Sequence, residues 1–300
     1  MKVNEPPHVV VGASRSYAVY TEEFLVVPAR QIGVSSPTSQ SGLLKALALY
    51  LNSDFVTYHQ FLTAPEAGIQ KTRHTLSALR CLPVPFHTDS DVGDWEQLYS
   101  KIERRSADRD DFNDPELLGE LNEITFEGLK LSARARAAVH DLVHVRFGMT
   151  RGKVSPIAVR PPSTDELHHY GAMLRDELDA FVRQSSATRH KVDVMTGQGS
   201  GMVMVELIED HPRQLAVGVL QASDATAQKM VEAQTKLVER RSQWLYFNRN
   251  LRVYDGPRIY MLKPLQRLHW TRTQAMEDAR EMIAESLQPD PQTVTGGALA

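Results

Sequence analysis

Cysteine is almost absent from this chain: Cys81 stands alone in 300 residues. One thiol can neither close an intrachain disulfide nor complete a Cys-based zinc site, and a reducing compartment fits such usage. Long apolar runs are missing as well. No stretch reaches the ~18 apolar residues that a membrane helix needs, and the opening MKVNEPPHVV lacks the apolar centre of a signal peptide. A cytoplasmic protein with no membrane partner is expected. There is no Gly-x-Ser-x-Gly, so no strand-to-helix elbow presents a serine nucleophile. "TGQGSG" (Thr196 to Gly201) is glycine-rich, but it lacks the Lys-Ser/Thr of a phosphate-binding loop, and no helix follows it. It reads as a turn. Cys81 has no neighbouring base and reads as a buried thiol.

What remains is ordinary for a globular protein: 42% hydrophobic and 24% charged residues, with a net charge of −3. That length supports a full core and about two domains. The small net charge hides a pattern. From Cys81 to Lys130 acids dominate, with Asp89, Asp91, Asp94, Glu96, Glu103 and Asp108 opening the run. From Lys236 to Arg272 the balance reverses, and only Glu239 and Asp255 oppose the cations. An anionic partner would sit on the second stretch and avoid the first. Two solvated faces of opposite sign would give the same pattern.

The patterning predicts mixed α/β structure up to residue 86. "HVVVGAS", "SYAVYTEEFLVVP" and "QIGV" have the β-branched and aromatic character of strands. Leu43, Leu44, Leu47 and Leu51 have helical spacing. "HTLSALRCLPVPF" reads as a short helix stopped by Pro83 and Pro85. Residues 87–153 read as an acidic linker carrying helices, one from Trp95 to Arg105. Another opens after a break where Ser132 can cap it, with a buried stripe of Ala135, Val139, Leu142, Val143 and Phe147. "GKVSPIAVRPPST" marks a boundary, and Ser163-x-x-Glu166 opens a helix running to about Arg183.

Beyond that helix, residues 154–288 read as an α+β domain with a mostly antiparallel sheet. Its strands are "HKVDVM", "MVMVELI" and "QLAVGVLQ", followed by a helix from about Asp224 to Arg241 and a hairpin on Asp255-Gly256. Thr271-x-x-Gln274 opens a last helix, and residues 289–300 are expected to be disordered.

"HDLVH" places His140 and His144 at i and i+4, the spacing of a zinc-binding helix. Asp141 is shorter than the glutamate such sites use and no third ligand follows, so the pair reads as structural. His168, His169 and His190 would mark an enzyme in the C-terminal domain only if they gathered around a deep pocket.

Three stretches, "EEFLVVPARQIGVSSP", "LLKALALYLNSDFVTYHQFL" and "AGIQKTRHTLSALRCLPVPF", occur in that order. Together they resemble the target-recognition region of adenine-N6 DNA methyltransferases. These are enzymes of type I and fused type II bacterial restriction-modification systems and related phage-defence methylases. The likeness extends to "LGELNEITFEGLKLSARARAAVHDLVHVR" and, more loosely, to "QWLYFNRNLRVYDGPRIYMLKPLQRLHWTRTQAMEDA". The chain departs from the family in lacking the Gly-rich S-adenosylmethionine loop and the Asn/Asp-Pro-Pro-Tyr/Phe tetrapeptide. "NEPPH" at Asn4 to His8 has an inserted Glu5 and no aromatic residue to stack on a flipped base.

The resemblance implies a DNA-recognition module or split subunit that binds duplex DNA and catalyses nothing on its own. A methyltransferase catalytic subunit or a nuclease would perform the reaction, and no cofactor is expected on this chain. A protein-interaction scaffold in a defence complex is the alternative. The residues expected at DNA are Arg15, Arg30, Gln31, His59, Gln60, Lys71, Arg73 and His74 around the quoted stretches. Near the C-terminus they are Arg249, Arg252, Lys263, Arg267, His269 and Arg272, with Trp270 beside them. Cations would hold phosphates, and amides and imidazoles would read base edges. Phe55, Tyr58 and Phe61 are expected to pack their helix on the sheet and leave His59 and Gln60 outside.

Overall fold

A computed structural model of the chain describes residues 5–12, 17–28, 31–36, 40–63, 76–88, 91–106, 114–147, 155–183, 186–197, 200–209, 217–221, 251–255 and 257–287. It combines helices with two mostly antiparallel sheets, a mixed α/β class, and divides into two compact units, Met1–Lys153 and Val154–Ala300.

In the first unit, β1 (His8–Val11) is the centre of a three-stranded antiparallel sheet, flanked by β2 (Ala18–Thr21) and β3 (Ile32–Ser35). Helix α1 (Ser41–Leu51) covers one face. Its Leu44 and Ala48, one turn apart, meet Val9, Val11, Ala18 and Tyr20. The expected second strand is shorter than its composition predicts. It stops at Thr21, and Phe24, Leu25 and Val26 beyond it are exposed. β-propensity expresses itself only where a neighbouring strand offers a half-buried surface, and among the described residues no strand pairs with these three.

Helices α2 (Asp54–Thr63), α3 (Leu76–Arg80), α4 (Gly93–Ser106), α5 (Pro115–Gly128) and α6 (Ala133–His140) complete this unit. The described helices of residues 87–153 are packed into the unit and do not stand apart as a linker. Val92, Trp95, Leu98, Leu117, Leu121, Phe126 and Val139 from this segment share one core with Tyr50, Phe55, Val56, Leu82 and Phe86. Asp94, Glu96 and Glu103 on α4 and Glu116, Glu123 and Glu127 on α5, acids that gave the segment its linker-like composition, lie on the outer faces of amphipathic helices. Asp114 caps α5 by accepting the Glu116 N–H, with Pro115 in the first turn. Arg105 bonds both Asp114 (2.8 Å) and Glu116 (3.0 Å), tying the end of α4 to the start of α5.

Ser132 caps α6 as expected, accepting the Ala135 N–H at 3.3 Å. The buried face differs from the predicted stripe: Ala137, Val139, Asp141 and Val145 are buried, while Ala135, Leu142, Val143 and Phe147 are partly exposed. The helix widens into a π-helical turn over Asp141–Arg146. The wider turn rotates every later side chain relative to the 3.6-residue expectation.

The second unit contains α7 (Pro156–Val159), α8 (Thr164–Val182), β4 (Thr188–Thr196), β5 (Ser200–Glu209), β6 (Gly218–Gln221), β7 (Leu251–Asp255), β8 (Arg258–Pro264) and α9 (Arg272–Ser286). The sheet order is β6-β4-β5-β8-β7, antiparallel except for the β4–β6 pair. Along β5 the period of two is plain, with Val203 and Val205 buried against α8 and α9 and Met202 and Met204 half-exposed between them. Gly201 has to be small, because a Cβ there would stand 2.4 Å from the Trp270 indole.

The hairpin joining β7 to β8 is in the predicted place, with Asp255 opposite Arg258; Gly256 lies outside the described residues. So do the expected helix at 224–241 and the tail at 289–300. Ser163 and Glu166 form the full reciprocal capping box. Thr271 accepts the Gln274 N–H at 3.2 Å, but the Gln274 side chain turns inward to Asp278 instead of closing the box. No helix among the described residues is long and apolar enough to cross a membrane.

Candidate nucleic-acid interface

The stretch "LNSD" between α1 and α2 is a junction in which each polar side chain has a structural task. The Asn52 amide accepts the Ala18 N–H (3.1 Å) and donates to the carbonyls of Ala18 and Ala48 (both 2.7 Å). It thereby occupies the outer edge of β2 as a strand would. Ser53 Oγ accepts the Val56 N–H at 3.4 Å. Asp54 is held by Asn122 on α5, its N–H donating at 2.9 Å and its carboxylate accepting at 2.7 Å. The same carboxylate oxygen stands 2.6 Å from His144 Nε2. Replacing Asn52 by alanine removes three hydrogen bonds at ~1 kcal/mol each. Allowing for solvation of this exposed site, a loss of about 2 kcal/mol is expected. Faster amide exchange at Ala18 and a lower urea midpoint would report it.

Two of the stretches that carry the family likeness, those of residues 43–62 and 67–86, meet inside the first unit. The Tyr50 hydroxyl donates to the Pro83 carbonyl. The rings of Tyr50, Phe86 and Trp95 form an edge-to-face trio with centroids 5.3–6.3 Å apart. Tyr50, Leu82 and Phe86 are therefore core-building residues, while Pro83 and Val84 between them are exposed.

Helix α2 presents its polar residues differently from the expectation. Gln60 is fully buried beside Val56, one turn away, and neither of its amide atoms finds a partner among the described residues. It does not face a base edge. Phe55 is buried among helices and not on the sheet, and Phe61 stacks edge-on against Phe147 at 5.6 Å. His59 is the residue that reaches the surface, half-exposed, with its ring 5.9 Å from that of Phe55. Its Nδ1 lies 3.2 Å from the Thr63 hydroxyl, which donates to the His59 carbonyl at 2.7 Å. Burial of the ring pulls the His59 pKa below its ordinary value, because an imidazolium loses hydration there. Gln31 is half-exposed just before β3, its N–H donating to the Pro28 carbonyl at 3.1 Å. Arg15, Arg30, Lys71, Arg73, His74 and Arg249 lie outside the described residues.

Among the described residues, Lys263, Arg252 and Arg267 are held in ion pairs and line no shared groove. Lys263 is buried and paired with Asp278 on α9. Arg252 bonds Glu281 and Glu285 with its side chain 7% exposed. The Arg267 Nε lies 2.7 Å from Glu166, a carboxylate it shares with Arg160. Trp270 is core, its indole N–H donating to the Pro264 carbonyl at 2.9 Å. His269 and Arg272 are half-exposed at the start of α9. Among the described cations of that run, Arg252, Lys263 and Arg267 are thus paired with acids from α8 and α9, and Arg258 pairs with Glu206 on β5.

The remaining sequence signals have structural explanations. The rings of His140 and His144 lie 5.0 Å apart, with His140 Nδ1 3.2 Å from Asp141. Among the described residues no three ligating side chains gather around a metal position. His168 and His169 are exposed on α8, while His190 Nδ1 is 2.9 Å from Asp179. These three histidines do not converge. Cys81 is exposed, not buried. In the Gly-rich turn the Gly197 N–H donates to the Ser200 carbonyl at 3.0 Å, closing the β4–β5 hairpin. A groove of about 770 Å³ opens between α4 and α5, lined by residues of both signs that include Asp94, Glu96, Lys101, Arg104 and Glu120, with Lys101 paired to Glu120.

No family model, curated protein or solved structure matches the chain.

Proposed function

We propose that this chain is a DNA-recognition module, or split specificity subunit, of an adenine-N6 methyltransferase, restriction-modification or phage-defence system. It binds duplex DNA through its N-terminal unit and leaves the reaction to a methyltransferase catalytic subunit or nuclease. The observation that carries the reading is the placement of α2. That helix holds a neutral, half-exposed imidazole at its surface, and the chain continues from it into a segment bearing Lys71, Arg73 and His74. An amphoteric ring to meet bases, followed by cations to meet phosphates, is the division of labour that groove binding requires. The second unit, in which Arg252, Lys263 and Arg267 are paired internally, makes no DNA contact in this reading.

The test is fluorescence anisotropy of the full chain with duplex DNA across a salt series. Binding should weaken steeply with salt, and K71E/R73E should weaken it about tenfold or more and reduce the logarithmic salt slope by about 2. Absent binding at low salt, with the chain alone and in its native complex, ends the reading.

A second reading, a protein-interaction subunit of a defence complex, is favoured by the exposed run Phe24–Val26. F24D/V26D separates the two: loss of a protein partner with DNA affinity unchanged supports the scaffold.

A further inference from the structure

Thr63 stands one helical turn after His59, and its hydroxyl has one proton to give. That proton goes to the His59 carbonyl at 2.7 Å, the ordinary back-bond of a helical threonine. The oxygen can then meet His59 Nδ1, 3.2 Å away, only as an acceptor. Nδ1 must therefore carry the ring proton, and in a neutral imidazole the other nitrogen is left as a lone-pair acceptor. The Phe55 ring, 5.9 Å away and tilted by 37°, packs against the imidazole and limits its rotation. Burial disfavours the imidazolium, so the neutral ring persists at neutral pH.

We propose that His59 is a base-reading residue, whose Nε2 accepts a hydrogen bond from an exocyclic amino group, adenine N6 or cytosine N4, in the major groove. This inference rests on the DNA-binding reading above. Guanine offers only the N7 and O6 acceptors on that edge, and thymine offers O4 and a methyl group. An acceptor fixed by Thr63 is repelled by both and matched by the two amino bases. Thr63 is then a positioning residue that chooses the tautomer without touching DNA.

Two measurements test this on the full chain. Two-bond ¹H–¹⁵N correlation on histidine-labelled protein should show His59 protonated at Nδ1, and T63V should shift that signal towards a mixture of tautomers. Selection from a randomised duplex pool at low salt should enrich one base pair, in one orientation, at one position for the wild type. H59F, which keeps an aromatic ring against Phe55, should lose that preference. Replacing the amino group of that pair's adenine or cytosine by hydrogen should weaken wild-type binding by about two- to tenfold, the worth of one neutral hydrogen bond, and leave H59F unaffected. The adenine and cytosine analogues tell the two bases apart.

An Nε2–H tautomer, wild-type binding unchanged when the amino group of the enriched pair is replaced by hydrogen, or DNA binding with identical preferences in H59F overturns the assignment while leaving DNA recognition standing. No enrichment and no affinity at low salt overturns the DNA reading itself, and the assignment falls with it.

Discussion

Lys263→Met is expected to destabilise the protein by about 3–5 kcal/mol, because it strands a buried carboxylate. The Lys263 and Asp278 side chains are both fully buried. The ammonium bonds Asp278 and lies 3.1 Å from the Tyr170 hydroxyl. That hydroxyl donates to Asp278 at 2.6 Å, and Gln274 donates to its second oxygen at 3.0 Å. The ammonium also stands 4.3 Å and 5.1 Å from the ring centres of Tyr170 and Trp270, a favourable cation–π position. Methionine matches the shape but deprives the carboxylate of the ammonium bonded to it. Asp278→Asn, added to the methionine variant, removes that charge and keeps an acceptor for Tyr170. K263M/D278N should therefore recover at least half of the loss in urea denaturation. A K263M variant within about 1 kcal/mol of wild type would show that the buried pair contributes no more than a surface one.

The same lysine has a signature in pH. Burial pulls its pKa from 10.5 down to about 8, with Asp278 opposing the fall. Below pH 8 it is charged in both folded and unfolded chains and adds no slope. Between about 8 and 10.5 the unfolded chain holds a proton here that the folded chain has released, so this group makes stability rise with pH. The gap between wild type and K263M should widen across that window.

Much of this fold was legible in the sequence because it rests on local chemistry. The Ser132 and Ser163 caps, the α1 periodicity and the Asp255-Gly256 turn depend on residues a few positions apart, and the structure places them as expected. The misreadings share one physical origin: a charge or amide looks the same in sequence whether it is solvated or paired. Lys263 finds its carboxylate 15 residues away and its hydroxyl 93 residues away, separations that no window of spacing reveals. Gln60 sits one turn from buried Val56, so its helical position argued for burial, and its polarity argued more loudly against it. Of the candidate interface, His59 was visible from its residue type. Thr63 was overlooked although its i+4 spacing from His59 is a readable signal.

Trp95→Ala is expected to cost the N-terminal unit about 3–5 kcal/mol, the range for deleting a buried aromatic side chain. The indole is 3% exposed and meets Phe86 and Tyr50 edge-on at 5.3 and 6.3 Å. Such ring pairs add about 0.5–1.5 kcal/mol each beyond area burial. The consequence reaches α2 through a short chain of contacts. Trp95 supports Tyr50, the last turn of α1 carries Asn52, and Asn52 and Ser53 set the start of α2. Hydrogen exchange should therefore accelerate in α1 and α2 as well as in α4, and DNA affinity should fall at temperatures where the wild type still binds. Were residues 87–153 a solvated linker, Trp95→Ala would cost under about 1 kcal/mol, as surface substitutions do, and exchange would change only in α4. A large, spreading effect instead makes the acidic helices α4 and α5 part of the platform that holds His59 in place, and the recognition unit proposed above would then draw on them as well.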